Sequence, residues 1–223
     1  EAFRLRELVK KYGIKNHLIQ WNDGPGFNSI YNQLSEAGFH IQEPGKGRNM
    51  FLSFGIAMAL GAESIGLLDA DIRTFKRVQL DRLFYPVVAL NYDFSKAYYA
   101  RILERSLFGR VKRLLLDPLL LSLKRKFTES KEEKMLRLID FLLGFQYQLS
   151  GEVAFHVNLL KKMRFAMNWG VEIFTLIEVY RKASTPAQVM FSELPFDHKH
   201  QEISEGDQTK GLHRMGVDIV TTL

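Results

Sequence analysis

The sequence predicts an α/β protein, a sandwich of helices around a mainly parallel sheet. Three observations predict it. Short apolar runs alternate with helical stripes through the first third of the chain. The connections between them are short and rich in glycine, proline and asparagine. Beyond them come further leucine-rich helical patterns and alternating runs, with no internal repeat or low-complexity tract.

Each element has its own signal. Phe3, Leu5, Leu8 and Val9 form a helical stripe over 1–12, closed by Gly13. "NHLIQW" reads as a short strand and "NDGPGF" as a turn. A helix over 29–37 ends at Gly38, and "FHIQ" reads as a second strand. "EPGKGRN" is a loop, 49–60 a helix ended by Gly61, and "AESIGLL" a third strand finishing at Asp69. Further on, 79–89 reads as a helix and "FSKAYYARI" as a strand. The leucine-rich 111–126 is interrupted by Asp117-Pro118, which rules out one uninterrupted helix. Helices are expected over 132–143, 153–163 and 171–182. "AQVMFSEL" is the last strand, before the polar loop "PFDHKHQEISEGDQTKG" and a short C-terminal helix.

The 223 residues suffice for one domain, or one and a small appendage. Cysteine is absent, which excludes disulfides, thiolate metal sites and a cysteine nucleophile. The longest charge-free apolar stretch, 50–62, has 13 residues, short of the ~20 that span a bilayer. No signal peptide is visible, and a cytoplasmic location is expected. The chain opens inside a helical pattern without methionine, so it reads as a fragment.

Net charge is +6 and uneven. Arg101, Arg105, Arg110, Lys112, Arg113, Lys124, Arg125 and Lys126 face only Glu104 and Asp117 in their segment, which therefore carries the whole excess. Such a patch expects an anionic partner. Nucleic-acid binding would want aromatics interleaved with the basic residues. Here leucines alternate with them, so the segment reads as a packed element presenting charge at one edge.

Ligands in α/β sheets bind beyond the carboxyl ends of strands, and the motifs fall there. Asp69 and Asp71 end the third strand and can face one cleft, as a Mg²⁺ site requires. An isolated Asp-x-Asp is ordinarily just a turn. A haloacid-dehalogenase reading fails, because the pair comes too late in the sheet and Arg73 stands where Thr or Val is needed. "PGKGRN" flanks Lys46 with glycines that let a backbone approach an anion, although a plain loop has the same composition. In "FGRVKR", Gly109 permits close approach and Arg110 can grip phosphate or carboxylate bidentately; the bland reading is a solvated helix face. His198 and His200 share one side of an extended "HKHQ", as a surface pair or as ligands. "SGE" and "NWGVEI" each put a glutamate beside a glycine at a helix start, where it complements the helix dipole.

In this order and spacing, "WNDGPG", "GKGRN", "LLDADI", "GRVKR", "LSGE", "NWGVEI" and "HKHQ" resemble the glucosyl-3-phosphoglycerate synthases, retaining GT-A glycosyltransferases. The resemblance implies a GT-A type, Rossmann-like nucleotide-sugar-binding sandwich. It also implies glucose transfer from UDP-glucose to the 2-hydroxyl of 3-phosphoglycerate, with Mg²⁺ or Mn²⁺ or another divalent cation. By position, it puts Asp23, Gly24, Lys46, Asp69, Ala70, Gly151 and Glu152 at the donor, and Gly109, Arg110, Lys112, Trp169 and His198 at the acceptor. Asp71, Asp69 and His200 match the metal site, and Asp71, Glu172 and Arg110 would carry the chemistry. Lys112 replaces a frequent threonine, Trp169 a tyrosine of some relatives, and His198 a position that can be arginine. Residues 1–91 would form the donor half and 92–223 the acceptor half with the C-terminal segment. Such domains usually begin with a strand that holds the base, and this chain starts after it, so part of the donor pocket is expected to be missing. A homodimer, with no nucleic acid and no membrane span, completes the expectation. Alternatives are a relative using mannose or glycerate, or a non-catalytic module binding anions or nucleic acid.

Overall fold

A computed structural model describes residues 2–42, 44–103, 106–197 and 211–223. The chain divides into two compact units, Glu1–Pro44 and Gly45–Leu223. The first holds α1 (Ala2–Lys11), a 3₁₀ turn (Pro25–Phe27) and α2 (Asn28–Glu36). The Tyr31 hydroxyl on α2 donates to the Asn22 carbonyl (2.7 Å) and ties the helix to the turn before it. The strands expected at 16–21 and 39–42 do not form among the described residues. An apolar run becomes a strand only where another strand takes up its N–H and C=O groups, and periodicity cannot report that partner.

The second unit begins with α3 (Lys46–Ala59), which starts on Lys46 rather than Asn49 because the Asn49 N–H already reaches the Gly45 carbonyl. Then follow β1 (Ser64–Leu67), α4 (Arg77–Ala89), β2 (Phe94–Tyr98) and a small hairpin of β3 (Ile102–Leu103) and β4 (Ser106–Leu107). After it come α5 (Asp117–Ser130), α6 (Glu133–Leu143), β5 (Val153–His156), the short α7 (Val157–Leu160), α8 (Val171–Lys182), β6 (Pro186–Met190) and α9 (Gly211–Thr222).

The main sheet has the order β1-β5-β2-β6. β2 and β6 are parallel, whereas β5 runs antiparallel to both of its neighbours. Hence β1, β2 and β6 share one direction, and the sheet is mainly parallel around a single reversed strand. That strand corrects the helix expected over 153–163. "VAFH" is almost wholly buried, and a short run apolar on both faces carries no period that separates strand from helix. Because β5 is reversed, its entry lies beside the carboxyl ends of β1 and β2: Val153 stands opposite both Leu67 and Lys96.

Both faces of the sheet are covered. On one, Phe54 of α3, Leu120 of α5, Leu142 of α6 and Leu176 of α8 share a core with Phe94 and Phe155 of the sheet. On the other, Leu83 and Val87 of α4 pack with Ala97, Ala154, Phe191 and Phe196. The proline expected to break a helix is absorbed differently. A π-helical stretch, Lys112–Leu116, runs directly into α5, with the Asp117 N–H bonding the Lys112 carbonyl. Pro118 falls in the first turn of α5, where its missing N–H is tolerated. Helical geometry therefore persists through Asp117-Pro118, with its register changed.

Glu178 on α8 has no exposed side-chain surface and is bound by Arg164 (3.1 Å), Arg181 (3.3 Å) and Lys182. The Arg164 N–H also donates to it (2.9 Å), which pins the chain leading into α8. Burial alone would raise its pKa; these partners outweigh burial and hold it at about 2. A depressed carboxylate stabilises the fold above its ordinary pKa, and that contribution fades as pH falls from about 4.5 towards about 2. The Tm of the wild type is therefore expected to fall over that window more steeply than that of Glu178→Gln, which should already be about 2 kcal/mol less stable at pH 7. Parallel Tm–pH curves for the two would show that the cluster carries no such linkage.

Candidate active site

The DAD sequence leaves β1 as a turn, with Asp71 and Ala70 exposed and Asp69 half-buried. The turn is tied down just beyond Asp71. The Arg73 N–H donates to the Asp197 carbonyl (2.9 Å), and the Asp197 N–H to the Thr74 hydroxyl (3.2 Å). Asp197 is thus docked on the aspartate turn. His198 and His200, which follow it, lie outside the described residues.

Lys46 occupies the first turn of α3, a position where a cation opposes the helix dipole. Two carboxylates compensate: its ammonium lies 3.1 Å from Asp69 and 2.8 Å from Glu172. Burial alone would lower its pKa, but the Glu172 and Asp69 charges outweigh this and hold it well above the ordinary lysine value. Glu172 sits in the first turn of α8, as expected from the sequence. The flanking glycines make a close backbone approach. A Cβ on Gly47 would sit 1.8 Å from the Ala166 carbonyl oxygen, and one on Gly45 would sit 2.5 Å from that of Met167. The backbone before Trp169 takes the space beside both glycines, and that contact brings the start of α8 against Lys46.

Ser150, Gly151 and Glu152 precede a strand, not the helix that was expected. A Cβ on Gly151 would lie 2.8 Å from the Lys46 ammonium and 2.9 Å from Asp69, so a larger residue there would push that pair aside. Glu152 is fully buried; its Oε2 accepts from the Tyr99 hydroxyl (2.6 Å), while Oε1 has no hydrogen-bond partner. Burial, helped by the Asp69 charge, raises its pKa against the Tyr99 hydrogen bond.

A cavity of about 380 Å³ brings together Lys46, Asp69, Asp71 and Glu172 with Gly109, Arg110, Lys112 and Trp169. Gly109 is left-handed (φ +85°), a conformation that favours glycine and turns the chain into the helical stretch that carries Arg110. The Lys112 ammonium is engaged by Asp117 at 2.6 Å. Trp169 is held through its N–H by Asp218 of α9 (3.3 Å). Asp23 and Gly24 belong to the first unit, and Ala70, Gly151 and Glu152 do not line the cavity.

Sequence reasoning missed several neighbours of this cavity. Leu212, Met215 and Ile219 of α9 line it, and their spacing marks one helix face, a signal that was available. Arg101 and Tyr147 line it as well. Lys96, in the middle of β2, is 1% exposed and donates to the Ser150 carbonyl (2.7 Å). Burial pulls its pKa down to about 8, against the raising pull of Glu172 and Glu152. Its alternating strand pattern resembled that of a half-exposed strand, and nothing in the pattern reports that both faces are covered.

Among the described residues, no group of three or more histidine, cysteine, aspartate or glutamate side chains is placed to hold a metal ion. The two cavity-lining aspartates nevertheless offer oxygen donors, the set that a hard divalent cation prefers.

An aspartate turn after a strand, a Lys–carboxylate cluster at a helix start and a sheet with one reversed strand define a GT-A glycosyltransferase fold. The motif resemblance to the glucosyl-3-phosphoglycerate synthases is borne out along the whole chain. It is 39% identical to the glucosyl-3-phosphoglycerate synthase of Persephonella marina over 230 aligned positions, covering 100% of this chain and 54% of that protein. It is 36% identical to that of Methanococcoides burtonii, over 92% of this chain and 50% of that protein. The chain thus spans about half the length of the curated relatives it matches. Among solved structures, it resembles glucosyl-3-phosphoglycerate synthase from Mycobacterium tuberculosis in complex with Mn²⁺, UDP-glucose and phosphoglyceric acid. That match has a TM-score of 0.61 at 24% identity and covers 81% of this chain and 54% of that one. The same enzyme with Mg²⁺ and UDP matches with a TM-score of 0.59 at 23% identity, over 81% and 53%. These neighbours share the fold. No protein-family model matches the chain.

Proposed function

We propose that the protein containing this chain transfers glucose from UDP-glucose to the 2-hydroxyl of 3-phosphoglycerate, with retention of configuration. The carrying observation is the cavity in which the Lys46–Asp69–Glu172 cluster and Asp71 meet Gly109 and Arg110. Residues 1–91 serve the donor in this reading and 92–223 the acceptor. Asp69 and Asp71, with His200, would hold a divalent cation. When bound, it offsets charge on the departing diphosphate, an effect of about several kcal/mol. Lys46 adds positive charge beside it; Ala70, Gly151 and Glu152 are assigned to the donor by the motif resemblance, as are Asp23 and Gly24 of the first unit, and none of the five lines the cavity. Gly109, Arg110, Lys112, Trp169 and His198 orient the acceptor hydroxyl, so much of the rate comes from positioning.

The Glu172 carboxylate is bound to the Lys46 ammonium, which makes it a poor nucleophile. Attack is therefore assigned to the acceptor hydroxyl from the leaving-group side, with its proton passing to the diphosphate. A covalent sugar adduct trapped on Glu172 would refute that route. The complete protein, incubated with UDP-glucose, Mg²⁺ and 3-phosphoglycerate, should release UDP. Release with glycerate but not with 3-phosphoglycerate would move the acceptor assignment. Tight, salt-sensitive oligonucleotide binding without release would favour a binding module. Arg110→Ala should raise the KM for 3-phosphoglycerate about 10- to 100-fold and leave that for UDP-glucose nearly unchanged; equal effects would show that Arg110 is misassigned. A cytoplasmic homodimer belongs to the same proposal, with light scattering as the check on its assembly. No described helix is long and apolar enough to cross a membrane.

A further inference from the structure

The chain that leads into α8 is held from two sides. On one, Gly45 and Gly47 lie against the Ala166–Met167 backbone, and the Arg48 N–H donates to the Met167 carbonyl (3.2 Å). On the other, α9 comes just as close. A Cβ on Gly170 would sit 2.0 Å from the Thr222 hydroxyl and 2.8 Å from the Asp218 carbonyl oxygen. Gly170 has an ordinary φ of −79°, so it is the nearness of α9, not backbone conformation, that disfavours a side chain there. Asp218 completes the contact. One of its carboxylate oxygens accepts from the Trp169 N–H (3.3 Å) and the other from Arg214 Nε (2.9 Å).

A carboxylate at this place needs a reason. Asp218 is 4% exposed, and an apolar residue of similar size would pack α9 against its neighbours without the cost of taking a charge out of water. Glu178, also buried, is answered by three cations. Asp218 has Arg214 alone among the described residues, and it gives its second oxygen to a main-chain N–H. That N–H belongs to a residue of the cavity wall. Trp169 lines the cavity, as do Met215 and Ile219 of α9, whereas Asp218 itself does not. The helix that walls the cavity therefore also fixes the main chain of the cavity's tryptophan.

We infer that Asp218 is a positioning residue, which through the Trp169 N–H fixes where the Trp169 ring stands in the cavity. The inference rests on the proposed function, in which Trp169 serves the acceptor, and it adds the residue that holds Trp169 in place. A ring already anchored does not have to be ordered when the acceptor arrives, and such preorganisation appears as affinity. Loss of the anchor therefore weakens acceptor binding and spares the donor, which meets Lys46 and the aspartate turn instead.

The test uses the complete protein with Asp218→Ala and Asp218→Asn. Asparagine keeps an oxygen for the Trp169 N–H and loses the charge that answers Arg214, so it separates the anchor from the ion pair. Asp218→Leu, which fills the space without an acceptor, stands in for alanine if that variant fails to fold. In UDP-release assays Asp218→Ala should raise the KM for 3-phosphoglycerate about 10-fold and leave that for UDP-glucose within about twofold. Asp218→Asn should recover most of the loss. Fluorine NMR of protein labelled with fluorotryptophan, the Trp169 resonance being assigned by its loss in Trp169→Phe, reads the ring without turnover. The resonance should move in Asp218→Ala and keep its place in Asp218→Asn. That same pattern in a protein that releases no UDP would retain the positioning role and discard the transferase reading. An unmoved resonance in Asp218→Ala, or a lower Tm with both KM values unchanged, would make Asp218 a helix strut and overturn the inference. Equal displacement in Asp218→Ala and Asp218→Asn would assign the effect to the Arg214 pair and overturn it too.

Discussion

Replacing Lys46 by methionine is expected to lower kcat at least about 100-fold and to lower stability by about 2–3 kcal/mol. Both effects have one origin. The ammonium is the shared partner of Asp69 and Glu172, and methionine fills the same space without the charge. Two carboxylates are then left facing each other, one only 12% exposed. Like charges this close repel each other, and that repulsion is the source of the lost stability. Chemical denaturation at pH 8, with UDP release at the same pH, is the measurement. A variant as stable as the wild type at pH 8 would show that the cluster is screened by solvent and that Lys46 acts on the donor alone.

Asp71→Ala should have the opposite profile. Turnover is expected to fall about 10³-fold or more, while Tm moves by no more than a degree or two. The side chain stands on an exposed turn, and surface positions away from caps and clusters change stability by about 0.5 kcal/mol or less. Calorimetric titration with Mn²⁺ should show weaker binding in the variant. Unchanged Mn²⁺ affinity together with unchanged turnover would leave the DAD sequence as a plain strand-terminal turn.

The site was legible in the sequence where chemistry and chain order coincide. The aspartates at the end of β1, Glu172 in the first turn of α8, and Gly109-Arg110 after the hairpin all follow from local pattern. What pattern could not give is what lies across from each residue. The glycines around Lys46 are required by the Ala166–Met167 backbone, far along the chain, and no spacing announces that contact. Lys96 and Arg101 escaped for the same reason: one sits in a strand covered on both faces, the other at a hairpin base. The fold was legible to the same degree. Helices with an apolar period, such as α2, α6 and α8, stood out, whereas β5 was taken for a helix because a doubly buried run has no face to alternate. The strands expected at 16–21 and 39–42 failed because a strand is a property of two segments, and a sequence reading sees one at a time.

The reversed strand also constrains how the polypeptide can assemble. Neither β1 nor β2 touches the other; each finds an early partner only in β5, and β2 otherwise waits for β6. During synthesis, therefore, no ladder among these four strands can close until Val153–His156 has left the ribosome, although the earlier helices can already have formed. Up to that moment β1 and β2 have no partner in each other, and unpaired strands are the condition in which chains mispair with one another. Such long-range closure is slow, and the late arrival of one short, largely buried strand is what joins β1 to β2.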